Sequence, residues 1–261
     1  MEKVKALKKF GQNFLKNKTV LENISSLVNV EEDDLIIEIG PGMGALTEYL
    51  AKKNCYLLCY EIDERMKDHL IKYENKKTKI IYGDFLDRDI ESDIKEIPYK
   101  NLYVVANIPY YITSPILSKL INSKIEFSKI VLLVQKEFAE RITAEYGCKD
   151  YNALTLFIDY KYLANLEFIV SRIDFSPVPN VDSAVISLSL KDGQSIINEE
   201  GYFKFIKDAF TNKRKTLRNN LKNYDWNKII LILKYLGYEE SVRAEEISKE
   251  NFKLIWERLS K

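Results

Sequence analysis

Histidine is almost missing from this chain of 261 residues: His69 stands alone. That argues against a zinc site and against any mechanism built on a histidine base. Cysteine is scarce too, with Cys55, Cys59 and Cys148 making an odd number. Cys55 and Cys59 share one apolar, strand-like run, so reduced core thiols are expected rather than a disulfide framework. No apolar run approaches the roughly 18–20 residues a membrane helix needs, and the Lys-rich start lacks the apolar stretch of a signal peptide. A cytoplasmic, non-membrane protein is expected. Internal repeats and low-complexity linkers are absent as well.

What is present is enough apolar sequence, 46% of residues, for one large domain or a domain with a small appendage. The net charge of +1 conceals segregation. Residues 1–18 carry six lysines and one acid, and residues 204–222 carry seven basic residues and one acid. Such segments suit a phosphate backbone, although a solvated helix face would look the same.

The central stretch is Val104-Val105-Ala106-Asn107-Ile108-Pro109-Tyr110-Tyr111. It reads as a buried strand stopped by proline, followed by a rigid loop with one amide and two aromatic faces. That set suits a flat, hydrogen-bonding ligand such as a nucleobase; ordinary turn chemistry is the alternative.

Upstream, Lys8-Lys9-Phe10-Gly11-Gln12-Asn13-Phe14-Leu15 reads as an ordered loop, and a helix over 19–28 is expected with Thr19 as cap and Glu22 closing a capping box. Leu35-Ile36-Ile37-Glu38-Ile39 is an apolar strand with one acid, leading into Gly40-Pro41-Gly42-Met43-Gly44 and a helix carrying Leu46, Tyr49 and Leu50. Strand, glycine turn and helix make a ligand cradle. Glu61, about twenty residues after the first glycine, ends the next strand where an acid binds a ribose diol, and Asp63 could do the same. These features fit a nicotinamide cofactor or S-adenosylmethionine; Gly44 leans towards the second. Asp84 and Phe85, after a strand over 79–82, could bond and cover an adenine, or form a plain turn. A further strand over 130–134 precedes a helix from Phe138. This alternation predicts a doubly wound, mostly parallel α/β sheet with ligands at the strands' carboxyl ends.

A helix over 151–160 and strands over 167–173 and 184–190 are expected next. Phe175-Ser176-Pro177-Val178-Pro179 lies between those strands as a stiff loop whose exposed Phe175 could stack a base, or plug the core. Beyond Gly193 the pattern is helical. The expected division is a catalytic domain over 1–198 and a small all-helical domain over 199–261.

Taken together, Phe10-Gly11-Gln12-Asn13-Phe14-Leu15, Glu38-Ile39-Gly40-Pro41-Gly42, Glu61-Ile62-Asp63, Gly83-Asp84, Asn107-Ile108-Pro109-Tyr110 and Phe175-Ser176-Pro177-Val178-Pro179 resemble the ribosomal RNA adenine dimethyltransferases. Each motif is weak alone; the ordered set spans nearly the whole chain. The tail, Phe210-Thr211-Asn212-Lys213-Arg214-Lys215-Thr216-Leu217-Arg218 with Arg243-Ala244-Glu245-Glu246-Ile247-Ser248, is similar to the small-subunit branch, as is Val181-Asp182-Ser183-Ala184-Val185. The family's usual Leu in Asn-Leu-Pro-Tyr is Ile108 here.

The resemblance implies a seven-stranded methyltransferase sheet, S-adenosylmethionine as cofactor with S-adenosylhomocysteine as product, and no metal. It implies that Gln12, Asn13 and Leu15 close over the methyl donor, that Gly40 and Gly42 approach its amino-acid part, and that Glu61 with Ile62 holds the ribose. Asp84 with Phe85 would take the adenine, and Asn107, Ile108, Pro109, Tyr110 and Phe175 would face the target base. Lys8, Lys9, Lys213, Arg214, Lys215 and Arg218 become the RNA-contacting candidates. The implied substrate is a pair of adjacent adenosines near the end of small-subunit (16S) ribosomal RNA, met on the small ribosomal subunit by a monomer. The large-subunit (23S), macrolide-resistance branch and an assembly factor that binds RNA without catalysis stay open, and a nicotinamide-dependent dehydrogenase would share the glycine turn.

Overall fold

The strand Leu35–Ile39 is buried at all five positions, as a parallel strand covered on both faces must be. It is β2 in a computed structural model that describes residues 12–193 and 196–260; Lys8, Lys9, Phe10 and Gly11 lie outside them. In chain order, β1 (Phe14–Leu15) and α1 (Lys18–Ser26) precede β2. Then come α2 (Thr47–Leu50), β3 (Tyr56–Glu61), α3 (Lys67–Leu70), β4 (Thr78–Tyr82), α4 (Ile90–Ile94), β5 (Leu102–Asn107) and α5 (Thr113–Ile121). The sequence continues with β6 (Lys129–Gln135), α6 (Lys136–Ile142), α7 (Ala153–Lys161), β7 (Tyr162–Val170), β8 (Phe175–Ser176) and β9 (Ser183–Leu190). It closes with α8 (Glu199–Ala209), α9 (Leu217–Asn220), α10 (Trp226–Tyr235) and α11 (Lys249–Leu259).

Among the described residues, the main sheet has seven strands in the order β4-β3-β2-β5-β6-β9-β7. β2 pairs in parallel with β3 and β5, and β5 in parallel with β6, whereas β9 runs antiparallel to β6. The expected doubly wound, mostly parallel α/β sheet is therefore present. The chain enters at β2, builds outward to β4, then crosses back to β5 on the other side of β2. That reversal makes a crevice at the carboxyl ends of β2 and β5, where ligands bind in such sheets.

Two compact units are formed. The first runs to Ala139 and resumes over Asn165–Leu190; the second comprises Glu140–Ala164 and the chain from Lys191. This differs from a single division after residue 198. Tyr151, Leu156 and Tyr160 share a core with Tyr202, Phe205 and Trp256, so the α7 segment belongs with the C-terminal helices.

Three local expectations change. Asn17, not Thr19, caps α1: its Oδ1 accepts from the Thr19 and Val20 amides at 3.1 and 3.4 Å. Its Nδ2 donates to Asp174 Oδ1 at 2.9 Å, an anchor that Thr19 could not supply. The expected capping box with Glu22 is not formed. β7 starts five residues before the expected strand, and the single turn α9 carried no periodicity long enough to read.

Candidate active site

The crevice holds a cavity of about 160 Å³, all of its lining drawn from the first compact unit. Its floor is the turn after β2. Gly40 has φ +72° and Gly42 φ +56°, left-handed values that favour glycine. A Cβ on Gly40 would lie 3.7 Å from the carbonyl oxygen of Asn107, so the β2 and β5 loops approach each other there.

Glu61 closes the next wall at the end of β3. Its two carboxylate oxygens accept from the Gly42 and Asp63 amides, each at 2.8 Å. Burial pushes its pKa up, while those two amide bonds pull it down. Asp63 is otherwise engaged: Arg65 Nε donates to it at 2.8 Å and Gln12 Nε2 at 3.0 Å. Of the two acids weighed as ribose ligands, Glu61 is the one that lines the cavity.

Asp84 and Phe85 follow β4. Asp84 Oδ1 accepts from the Leu86 amide at 2.9 Å, which caps a single 3-10 turn. Phe85 is buried edge-on against Tyr60, centroids 5.2 Å apart. Lys119 of α5 pins this loop by donating to the carbonyls of Leu86 and Arg88 at 2.7 and 2.6 Å. Opposite stand Asn107, Ile108, Pro109 and Tyr110, where β5 ends and Tyr110–Ile112 form another 3-10 turn.

Gln12, Asn13, Leu15, Gly40, Gly42, Glu61, Ile62, Asp84, Phe85, Asn107, Ile108, Pro109, Tyr110 and Phe175 all line this cavity. Phe175 departs from expectation in one respect: only 1% of it is exposed. β8 pairs with β1, Phe175 opposite Leu15, and this short antiparallel ladder turns the ring onto the core. The aromatic left open at the rim is Tyr111, 60% exposed. Lys213, Arg214, Lys215 and Arg218 belong to the second unit and are exposed; Arg218 also pairs with Glu240 at 2.5 Å. Among the described residues, no group of three or more His, Cys, Asp or Glu side chains could hold a metal ion.

One lining residue was not foreseen as a ligand. Glu38, 1% exposed within β2, faces the cavity. Its neighbour across the ladder, Cys59, donates from Sγ to Glu38 Oε2 at 3.5 Å. The available signal was an acid inside a wholly apolar strand. Burial, with a smaller push from the charge of Glu61, raises Glu38 to about 7 from an ordinary 4.5. Folding thus favours the protonated carboxyl: this stabilisation is fully present below pH 4.5 and is lost as pH rises through about 7. Glu38→Gln is therefore expected to exceed wild-type stability by up to about 3 kcal/mol at pH 8 and by little at pH 5. Urea unfolding at both pH values measures this; equal differences at the two would refute it.

The sequence model of the family described as ribosomal RNA adenine dimethylase matches residues 3–261. The chain belongs to that family. A relative named ribosomal RNA small subunit methyltransferase A from Streptococcus thermophilus is 39% identical over 94% of this chain and 89% of its own length. One of the same name from Ligilactobacillus salivarius is 40% identical over 94% and 87%. A crystal structure of a dimethyladenosine transferase from Plasmodium falciparum matches at TM-score 0.78 and 27% identity, covering 92% of this chain and 95% of that one. A 23S rRNA methyltransferase, ErmE, matches at 0.77 and 25%, covering 95% and 100%. The sheet, with its appended helices, is thus that of the S-adenosylmethionine-dependent methyltransferases, and the dehydrogenase alternative falls.

Family membership implies S-adenosylmethionine, and the donor set suits it. Glu61 and Asp84 line the wall, acceptors matched to a ligand with sugar hydroxyls and an adenine amino group.

Proposed function

We propose that this methyltransferase dimethylates the exocyclic amino groups of two adjacent adenosines near the 3′ end of small-subunit (16S) ribosomal RNA, during ribosome assembly. The observation carrying this reading is that the glycine turn, the acids at the ends of β3 and β4, and Asn107-Ile108-Pro109-Tyr110 meet in one cavity. The small-subunit branch is supported by the names of relatives at 39–40% identity, against 25% for the large-subunit enzyme.

S-adenosylmethionine, when bound, supplies an electrophilic methyl group. The chain's residues supply everything else. Glu61 holds the ribose hydroxyls, Asp84 the adenine amino group, and Gln12, Asn13 and Leu15 close one side. The target adenine is a poor nucleophile because its amino lone pair is delocalised into the ring. Asn107 Oδ1 and the Ile108 carbonyl accept hydrogen bonds from that amino group, favouring a more tetrahedral nitrogen aimed for in-line attack. No strong base is required, since the nitrogen loses its proton readily once it bears the new methyl and positive charge. Tyr110 stacks on the splayed-out base, worth about 1–3 kcal/mol. Phe175 meets the opposite face only if the base enters deeply enough to reach its buried ring.

The first compact unit carries catalysis and the second contributes RNA affinity, with a monomer acting on the small ribosomal subunit in the cytoplasm. Lys213, Arg214 and Lys215 are consecutive exposed cations of this second part. Arg214→Ala is expected to flatten the slope of log affinity against log salt by about one unit. Arg218→Ala should flatten it less, because Glu240 already offsets that charge. Filter binding across a salt series reads both slopes, and equal slopes for wild type and Arg214→Ala would exclude a phosphate contact.

The test of the whole reading is methyl transfer from labelled S-adenosylmethionine to unmethylated small ribosomal subunits and, in parallel, protein-free large-subunit RNA. Dimethyladenosine in the small subunit alone is expected. Label in large-subunit RNA alone would assign the resistance branch, and tight subunit binding without label would assign an assembly factor.

A further inference from the structure

Ser183 opens β9 in the Val181-Asp182-Ser183-Ala184-Val185 motif, and the function proposed above gives it no role. It is 0% exposed, and its backbone sits opposite Gln135 in the β6–β9 ladder. Its Oγ lies 2.7 Å from the phenol oxygen of Tyr110, and either can donate. The two residues are far apart in sequence and belong to different elements: Tyr110 hangs on the single turn after Pro109, whereas Ser183 is part of the sheet.

We propose that Ser183 is a positioning residue that fixes the ring of Tyr110 in the plane needed to stack the target adenine. Tyr110 is only half-buried, and rotation about its two side-chain torsions would sweep the ring across the cavity mouth. A tether at the far end of the ring stops both rotations at once. Burial pushes the Tyr110 phenol above its ordinary range, so the neutral form that shares this hydrogen bond persists at physiological pH. A positioned group must be held within about 0.5 Å and 10–20° of its working geometry, which a solvent-facing turn alone does not provide.

The bland alternative is that Ser183 merely satisfies its own buried hydroxyl. A cycle of full-length variants separates the two, using kcat and KM for small ribosomal subunits, S-adenosylmethionine affinity by calorimetry, and Tm. Ser183→Ala and Tyr110→Phe are each expected to lower kcat about five- to tenfold, the loss that one neutral hydrogen bond gives. S-adenosylmethionine affinity should stay within about twofold, and the double variant should be no slower than the worse single one. Multiplying losses, a parallel fall in cofactor affinity, or full kcat in Ser183→Ala would overturn the proposal. Tyr110→Phe keeps the ring and its volume, so wild-type kcat in that variant alone overturns it even if Ser183→Ala misfolds. The inference rests on Tyr110 facing the target base: impaired Tyr110→Ala beside normal Ser183→Ala defeats the inference alone, whereas unimpaired Tyr110→Ala defeats both.

Discussion

Asn107→Ala is expected to slow methyl transfer by about 10²–10³-fold, the loss typical of removing one preorganised polar group from a reacting centre. RNA affinity should change by no more than a few-fold, because Asn107 is one polar contact among many with a long polyanion. Asn107 ends β5 opposite Leu133 of β6, so its backbone is held on the sheet whatever the side chain. Its carbonyl, close to Gly40, likewise survives the substitution. The change therefore removes an acceptor for the adenine amino group without removing the loop that carries it. Single-turnover transfer and filter binding on the same preparation measure the two quantities. A parallel loss of both would mean that Asn107 shapes the RNA-binding surface rather than the nitrogen's geometry.

Much of this site was legible because its chemistry forces unusual residues into short stretches. A glycine turn after an apolar strand, an acid ending β3, and proline two residues past a valine-rich strand leave marks that survive without any structure. The sheet was legible for the same reason, since buried parallel strands such as Leu35–Ile39 and Ile130–Val134 read as continuous apolar runs. Misplaced features depended on partners distant in sequence. Phe175 looked exposed because its Pro-flanked loop gave no hint of pairing with Phe14–Leu15. Asn17 outcompeted Thr19 as a cap through a contact with Asp174, 157 residues away. The α7 segment reads only as a helix, and nothing local shows that its apolar side chains find their core with α8 and α11. Glu38 was visible as an anomaly, but only the ladder shows that its neighbour is Cys59 and that it faces the cavity.

Glu61→Ala should weaken S-adenosylmethionine binding by about 10²-fold, as expected when hydrogen bonds to a charged group worth roughly 1.5–3 kcal/mol each are lost. Two effects combine. The ribose loses its acceptor, and the Gly42 and Asp63 amides, each bonded to this carboxylate at 2.8 Å, are left without it, which loosens the turn under the ligand. Glu61→Gln keeps the length and one acceptor oxygen, so it should lose closer to tenfold. The ligand-free protein is expected to suffer less, since it loses the two amide bonds but no ligand contact. This asymmetry is what thermal unfolding can read. At 100 times its dissociation constant a ligand adds about 2.7 kcal/mol of stability, and the same concentration should add only about 0.4 kcal/mol to Glu61→Ala. A wild-type ligand-induced shift in that variant would reassign the ribose to Asp84 or Glu38, the other acids of the same wall. A large loss of stability without ligand would make Glu61 chiefly the brace of the glycine turn.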